Sequence, residues 1–174
     1  MNSLDDARHH LRRMKALGAF SVKSYMQPRR EARQWIIAAA REEGMLVVPE
    51  GGGDLETDMT FVLDGHTTIE HALPTTPLRN DVVWFLARSG TAYTPTLLVS
   101  YGGPFSENYF YERYDIHANA KIRRFLPHEE IDQRAERRSW FRENQYVFPR
   151  IAASASAILR AGGNVGMGCH GQLD

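Results

Sequence analysis

The sequence predicts a parallel α/β fold assembled from successive βα units, and three observations lead there. Short runs rich in apolar, β-branched and aromatic residues recur at residues 19–25, 45–51, 67–73, 92–100 and 164–170. A glycine that closes a helix-like stretch precedes each run, and the connections are tight. Four of the runs finish on a side chain able to bind a metal, namely Lys23, Glu50, His71 and His170. Parallel α/β folds place their chemistry at the carboxyl ends of strands, so the repeated unit marks a site as well as a fold.

The elements follow in order. Residues 5–17 read as a helix, with Ser3 as its cap and Gly18 as its stop. Residues 29–43 carry Ala32, Trp35, Ile36, Ala39 and Ala40 at helical spacing and end at Gly44. Residues 55–63 form a short helix capped by Asp54, and residues 81–89 another, capped by Asn80 and stopped by Gly90. The intervening runs have the length and composition of buried strands.

The rhythm breaks at residues 101–138. Gly102, Gly103 and Pro104 precede an aromatic cluster (Tyr109, Phe110, Tyr111, Tyr114) and a charged stretch. This segment is expected to be an insertion of a loop and one or two helices at the mouth of the sheet. Its aromatic residues should pack on the sheet, and its charges, including Glu130 and Arg134 four apart, should face solvent. Residues 140–161 return as a helix kinked or broken at Pro149. The long, loose periodicity suits a barrel of βα units. A closed barrel needs eight strands and typically about 250 residues. Five runs in a 174-residue single domain imply an open sheet or part of a larger polypeptide.

Composition excludes several partner classes. A 43% apolar share is enough for a real core. Lysine and arginine total 21, as do aspartate and glutamate, so the basic surplus of a nucleic-acid-binding domain is missing. No apolar run approaches the roughly 20 residues that cross a bilayer, and residues 1–13 lack an apolar signal-peptide centre. Neither nucleic acid nor membrane is an expected partner. The compartment is undetermined, with the cytoplasm favoured. The single cysteine, Cys169, excludes an intrachain disulfide framework.

Alternate residues of a strand share a face. Ser21 then sides with Lys23, Val48 with Glu50, Ile69 with His71, and Gly168 with His170. If each tip faces the barrel axis, four candidate ligands converge at one end. Glycines 51–53 and Gly168 would let backbone or ligand approach closely. Imidazole and carboxylate together suit zinc, manganese or iron. Such an ion lowers the pKa of bound water to about 7 and polarises a carbonyl, which is what hydrolysis requires. Structural readings stand beside these. Lys23, taken as buried, would pair with Glu50; Glu50 would line a loop; His71 would be a satisfied core histidine. His66 reads as exposed in a Gly-His turn, and His117 and His128 as solvated members of the insertion. Cys169 and His170 are adjacent and, on a strand, would point to opposite sides, a poor nucleophile pair.

The segments Gly65-His66-Thr67-Thr68-Ile69-Glu70-His71-Ala72, Gly90 followed by Thr94-Pro95-Thr96-Leu97, and Gly163-Asn164-Val165-Gly166-Met167-Gly168 resemble the metal-dependent amidohydrolase superfamily. They are most similar to its imidazolonepropionase-like and prolidase-like branch. The resemblance runs from about residue 18 to the end, outside most of the insertion. It implies a partial TIM-like (β/α)8 barrel in which the five runs are parallel strands four to eight, with the helical insertion after the seventh. It also implies a mono- or dinuclear centre of divalent metal, zinc first, with manganese or iron as alternatives. Lys23 matches the strand-four lysine that is often carbamylated, and His71 matches the strand-six histidine ligand.

Three departures accompany the match. The strand-one His-x-His pair is absent, Glu50 stands where a histidine is usual, and His170 stands in register with the usual strand-eight aspartate. Asp174 lies a few residues on and shares with His170 the candidacy for proton transfer. The implied function is hydrolysis of an amide or other C–N bond in a small molecule, with little turnover by this piece alone. The competing expectation is a non-catalytic assembly module whose open sheet edges drive self-association. The macromolecular partner is then a second copy or the remainder of a longer polypeptide.

Overall fold

The first helix, α1 (Leu4–Ala16), begins where the Ser3 hydroxyl accepts a hydrogen bond from the Asp6 N–H at 3.0 Å. Such an N-cap contributes about 1 kcal/mol. The computed structural model describes residues 1–25, 27–51, 53–136 and 138–170. Strand β1 (Ser21–Ser24) follows α1, then α2 (Arg30–Glu43), β2 (Leu46–Pro49), α3 (Leu55–Asp64), β3 (Thr68–Glu70), α4 (Asn80–Ser89) and β4 (Ala92–Thr94). Strand and helix alternate as the sequence pattern requires. Gly44 and Gly65 close α2 and α3 at φ 63° and 95°, left-handed values at which a Cβ is strained.

The strands are parallel and adjacent in chain order. β1 pairs with β2 from Ser21 opposite Leu46 to Ser24 opposite Pro49. β3 pairs with β4 from Thr68 opposite Ala92 to Glu70 opposite Thr94. Between the pairs, the Thr67 N–H donates to the Val47 carbonyl at 2.9 Å, and the Thr67 hydroxyl accepts from the Val47 N–H at 3.0 Å and donates to the same carbonyl at 2.8 Å. A parallel bridge, Glu50 to Glu70, resumes contact at the carboxyl end.

On the far side, Tyr93 N–H donates to the Asn164 carbonyl, and Gly166 N–H to the Tyr93 carbonyl. The run at 164–170 therefore meets β4 through a bridge at Val165 and does not become the strand expected from its composition. Among the described residues the architecture is α/β with two short parallel sheets and no closed barrel.

Three apolar clusters hold these elements. Ala7 and Leu11 of α1 pack with Val22, Ile36, Ile37, Ala39, Ala40, Met45 and Val47. Phe61, Val62, Ile69, Leu73, Val83, Leu86 and Tyr93 pack with Ala155 and Ile158 of the last helix. Ala72, Val147 and Ile151 form a smaller group beneath the cleft side. Each fully buried Leu or Ile contributes roughly 2 kcal/mol of transfer free energy. No described helix is long and apolar enough to cross a membrane.

The insertion holds more helix than expected: α5 (Ser106–Arg113), a 3-10 turn (Ile116–Ala118), α6 (Ala120–Phe125) and α7 (His128–Glu136). Its aromatic rings find a platform at the start of the last helix, with Tyr109 against Tyr146 and Phe148 at 5.5 and 5.3 Å. That helix, α8 (Phe148–Arg160), holds Pro149 in its first turn. A proline there removes an N–H that has no helical acceptor, so it starts the helix and does not kink it. Residues 140–147 are non-helical apart from a 3-10 turn at Glu143–Gln145. Asn80 belongs to α4 itself and Arg79 occupies the cap without a side-chain bond.

Candidate functional site

The carboxyl ends of the parallel runs open into one cleft of about 650 Å³, lined by Lys23, Val48, Glu50, Glu70, His71, Thr96, Cys169 and His170. The four side chains singled out from sequence therefore meet on one rim. Lys23 projects from β1, Glu50 follows β2 and His71 follows β3, so strand order delivers them side by side. Strand alternation, however, does not decide who faces inward. Glu70 and His71 both line the cleft, as do Cys169 and His170, because each pair lies at or beyond a strand end.

Backbone strain is concentrated at this rim. His71 has φ 71° and Thr96 has φ 44°, both in the left-handed region, and both side chains line the cleft. A non-glycine residue held there costs of order 1–3 kcal/mol and persists only when its surroundings fix it. Close backbone approach adds to the constraint. A Cβ on Gly51 would stand 2.8 Å from the Glu70 carbonyl oxygen, and one on Gly168 2.6 Å from Thr96 Oγ1.

Glu50 organises its neighbours. Lys23 Nζ donates to Glu50 Oε2 at 2.7 Å, and His71 Nε2 lies 3.2 Å from Glu50 Oε1. The Lys23 hydrogen bond, assisted by His71, holds the Glu50 carboxyl below its ordinary range. An ionised carboxylate only accepts, so the Glu50 contact selects the neutral His71 tautomer with its proton on Nε2 and its lone pair on Nδ1. His71 Nδ1 is buried and has no hydrogen-bond partner, and neither has the buried Nδ1 of His170. The two rings stand 5.6 Å apart between centroids. Tyr101 stands edge-on to His71 at 6.4 Å, its hydroxyl pushed up by burial and by nearby Asp58 and Glu50.

Lys23 departs from expectation. Its side chain is 61% exposed, not buried, because the face it projects from is uncovered. Glu50 raises its pKa and keeps it an ammonium. That opposes carbamylation, which needs the neutral amine, and gives the structural reading of a Lys23–Glu50 ion pair its geometry. Asp174 lies outside the described residues.

Of the remaining histidines His66 departs from the sequence pattern, whereas His128 is solvent-exposed and His117 partly so, as expected. His66 is buried, not exposed: Nδ1 donates to the Phe61 carbonyl at 2.9 Å and the ring packs on Phe61, burial holding its pKa below the ordinary value. His117 and His128 lie away from the cleft and both approach Asp132. Sequence reasoning gave no role to Glu70, Thr96 or Tyr101. The only local signal was the Thr94-Pro95-Thr96 tripeptide at the end of a strand run.

A divalent ion fits part of this donor set. Two unpartnered imidazole nitrogens suit it, whereas the Glu50 oxygens are engaged and the Lys23 ammonium is no donor. Among the described residues the cleft groups are not drawn together to within 4.8 Å as a set of three.

No family model matches the chain, and no curated protein matches it in sequence. Among solved structures, a Xaa-Pro dipeptidase with methionine bound in its active site shares the fold at TM-score 0.54 and 20% identity. The match covers 97% of this chain and 38% of that one, so the chain spans well under half of the dipeptidase's length.

Proposed function

We propose that this chain is part of a metal-dependent hydrolase of the amidohydrolase type, acting on an amide or other C–N bond of a small molecule. In this view the five parallel runs are strands four to eight of a TIM-like barrel. The fold shared with a dipeptidase supports the hydrolase class. The observation that carries it is the pair of buried, unpartnered nitrogens, Nδ1 of His71 and Nδ1 of His170, on two residues that line one cleft.

His71 and His170 would hold the ion, zinc being favoured by imidazole donors and manganese or iron also compatible. When bound, it supplies an acidified water and a Lewis acid for the carbonyl. Glu50 acts through His71, fixing the tautomer and ring orientation as carboxylates do beside metal-binding histidines. Glu50 is thus a positioning residue in place of the ligand its register suggests. Lys23 offsets the Glu50 charge and presents an ammonium to a substrate carboxylate. Asp174, beyond the described residues, is the further candidate for taking a proton from water. Because the Lys23 face is open, water is not excluded and turnover by this chain alone should be low.

The test is a zinc and manganese titration of the full chain, followed by assay on Xaa-Pro dipeptides and N-acyl amino acids. Loss of one bound equivalent with His71→Ala and with His170→Ala supports the proposal. Binding indifferent to both substitutions removes it.

A second reading, self-association, is favoured by the apolar side chains the open sheet leaves bare: Phe20 is 71% exposed, Leu46 48% and Met167 84%. The outer edge of β1 has no strand partner among the described residues, and such edges pair readily. Light scattering that gives a dimer, shifted toward monomer by Leu46→Lys, supports it; a monomer at all concentrations does not.

A further inference from the structure

We propose that the insertion carries a divalent transition-metal site of its own, formed by His117, His128 and Asp132 and suited to zinc. One ligand atom from each of the three lies within 4.8 Å of the others. His128 and Asp132 are four apart on α7, so one helical face presents both. His117 comes from the preceding 3-10 turn, where Asp115 Oδ1 accepts from the His117 and Ala118 amides at 3.0 and 3.3 Å and fixes the backbone.

The spacing is what separates this group from an ordinary polar contact. His117 Nε2 and His128 Nδ1 lie 3.5 and 3.4 Å from the same oxygen, Asp132 Oδ1. Those distances exceed the roughly 2.7–3.2 Å of hydrogen bonds. They match the edge of a tetrahedron with metal–ligand bonds of about 2.0–2.2 Å, which is about 3.4 Å. The rings are nearly perpendicular, at 75°, with centroids 5.2 Å apart. A hollow of about 340 Å³, bordered by Arg123, Leu126 and Ile131, adjoins the group and leaves the fourth position to water or an anion. Two imidazoles and one carboxylate form a donor set for zinc, cobalt, nickel or copper and a poor one for calcium.

The consequence is mechanical. An ion here ties the 116–118 turn to α7 and encloses α6 between its ligands. The site is independent of the cleft.

The experiment uses the full chain with His71→Ala and His170→Ala combined, which removes the cleft imidazoles, and cobalt(II) as the probe. The expected result is the visible absorption of tetrahedral cobalt, displaced by zinc, with zinc affinity about 100-fold or more weaker when His117→Ala or His128→Ala is added. Absence of bound cobalt, or binding unchanged by both insertion substitutions, overturns the proposal. An arm in the otherwise unaltered chain guards against misfolding of the combined variant. There His128→Ala should remove one bound zinc equivalent and abolish the zinc-dependent slowing of hydrogen exchange over residues 116–132. An unchanged equivalent and unchanged exchange overturn the proposal equally.

Discussion

His71 Nε2 stands 3.2 Å from Glu50 Oε1, and this contact sets which nitrogen of the imidazole is free. Through it a residue that follows β2 determines the chemistry of one that follows β3. Glu50→Gln keeps the shape and removes the obligate acceptor. It should weaken metal binding in the cleft by about 10- to 100-fold, the usual effect of losing an orienting partner. Calorimetric titration with zinc reads this directly, and unchanged affinity would mean that the contact does not orient the ring.

The Lys23–Glu50 pair has a defined pH window. Glu50 is lowered from 4.5 when folded, so its contribution is present above that value and is lost as pH falls through the folded pKa. Lys23 is raised from 10.5, so its contribution is present below that value and is lost as pH rises through the folded pKa. Lys23 is 61% exposed, so solvent screening keeps the pair below about 1 kcal/mol. Lys23→Met should therefore cost little at neutral pH and nothing once Glu50 is protonated, as denaturant unfolding across pH will measure. Intact mass should show Lys23 without an added carboxyl group.

The left-handed backbone at His71 can be tested apart from its chemistry. Asparagine tolerates φ 71°, whereas a β-branched residue does not. His71→Val should unfold about 1–2 kcal/mol more easily than His71→Asn, although both remove the imidazole. Equal stabilities would indicate that the backbone relaxes when the ring is lost.

Gly168 and Gly166 make a contrasting pair. A methyl on Gly168 meets Thr96 Oγ1 at 2.6 Å and Thr94 Cγ2 at 2.8 Å, whereas one on Gly166 meets Thr94 Oγ1 at 3.4 Å. Gly168→Ala should cost roughly 1–3 kcal/mol and displace His170, and Gly166→Ala should cost much less. Thermal unfolding of the two variants distinguishes them.

Tyr93 joins core and rim. Its buried hydroxyl, pushed up to about 12 by burial, accepts from the Leu73 N–H at 3.1 Å, two residues after His71. Tyr93→Phe leaves that amide unpaired and should cost about 1–3 kcal/mol in chemical denaturation. A variant as stable as the parent would mean that water replaces the hydroxyl.

What was legible in the sequence is what depends on local chemistry. Ser3 and Asp54 cap where their hydroxyl and carboxylate reach the next turn, and Gly18, Gly44, Gly65 and Gly90 take positive φ. The parallel order of β1 to β4 follows from the alternation of periods. What was misread depends on neighbours distant in sequence. His66 looks like a turn residue until Phe61 covers it, and Lys23 looks buried until its face proves uncovered. Pro149 is a break or a start depending on where the chain turns before it, which residues 140–147 decide only in three dimensions. His117 and His128 meet because α7 places Asp132 between them. The cleft was found as a set of strand tips, but the inward direction of Glu70 and Cys169 was not, because both lie where strand alternation ends.

The central claim is that His71 and His170 share a cation through Nδ1. Long-range nitrogen NMR of the imidazoles during zinc titration tests it most directly. Nδ1 of both residues should shift together while His71 Nε2 keeps its proton. Shifts confined to His117 and His128, or a proton found on His71 Nδ1, would contradict it.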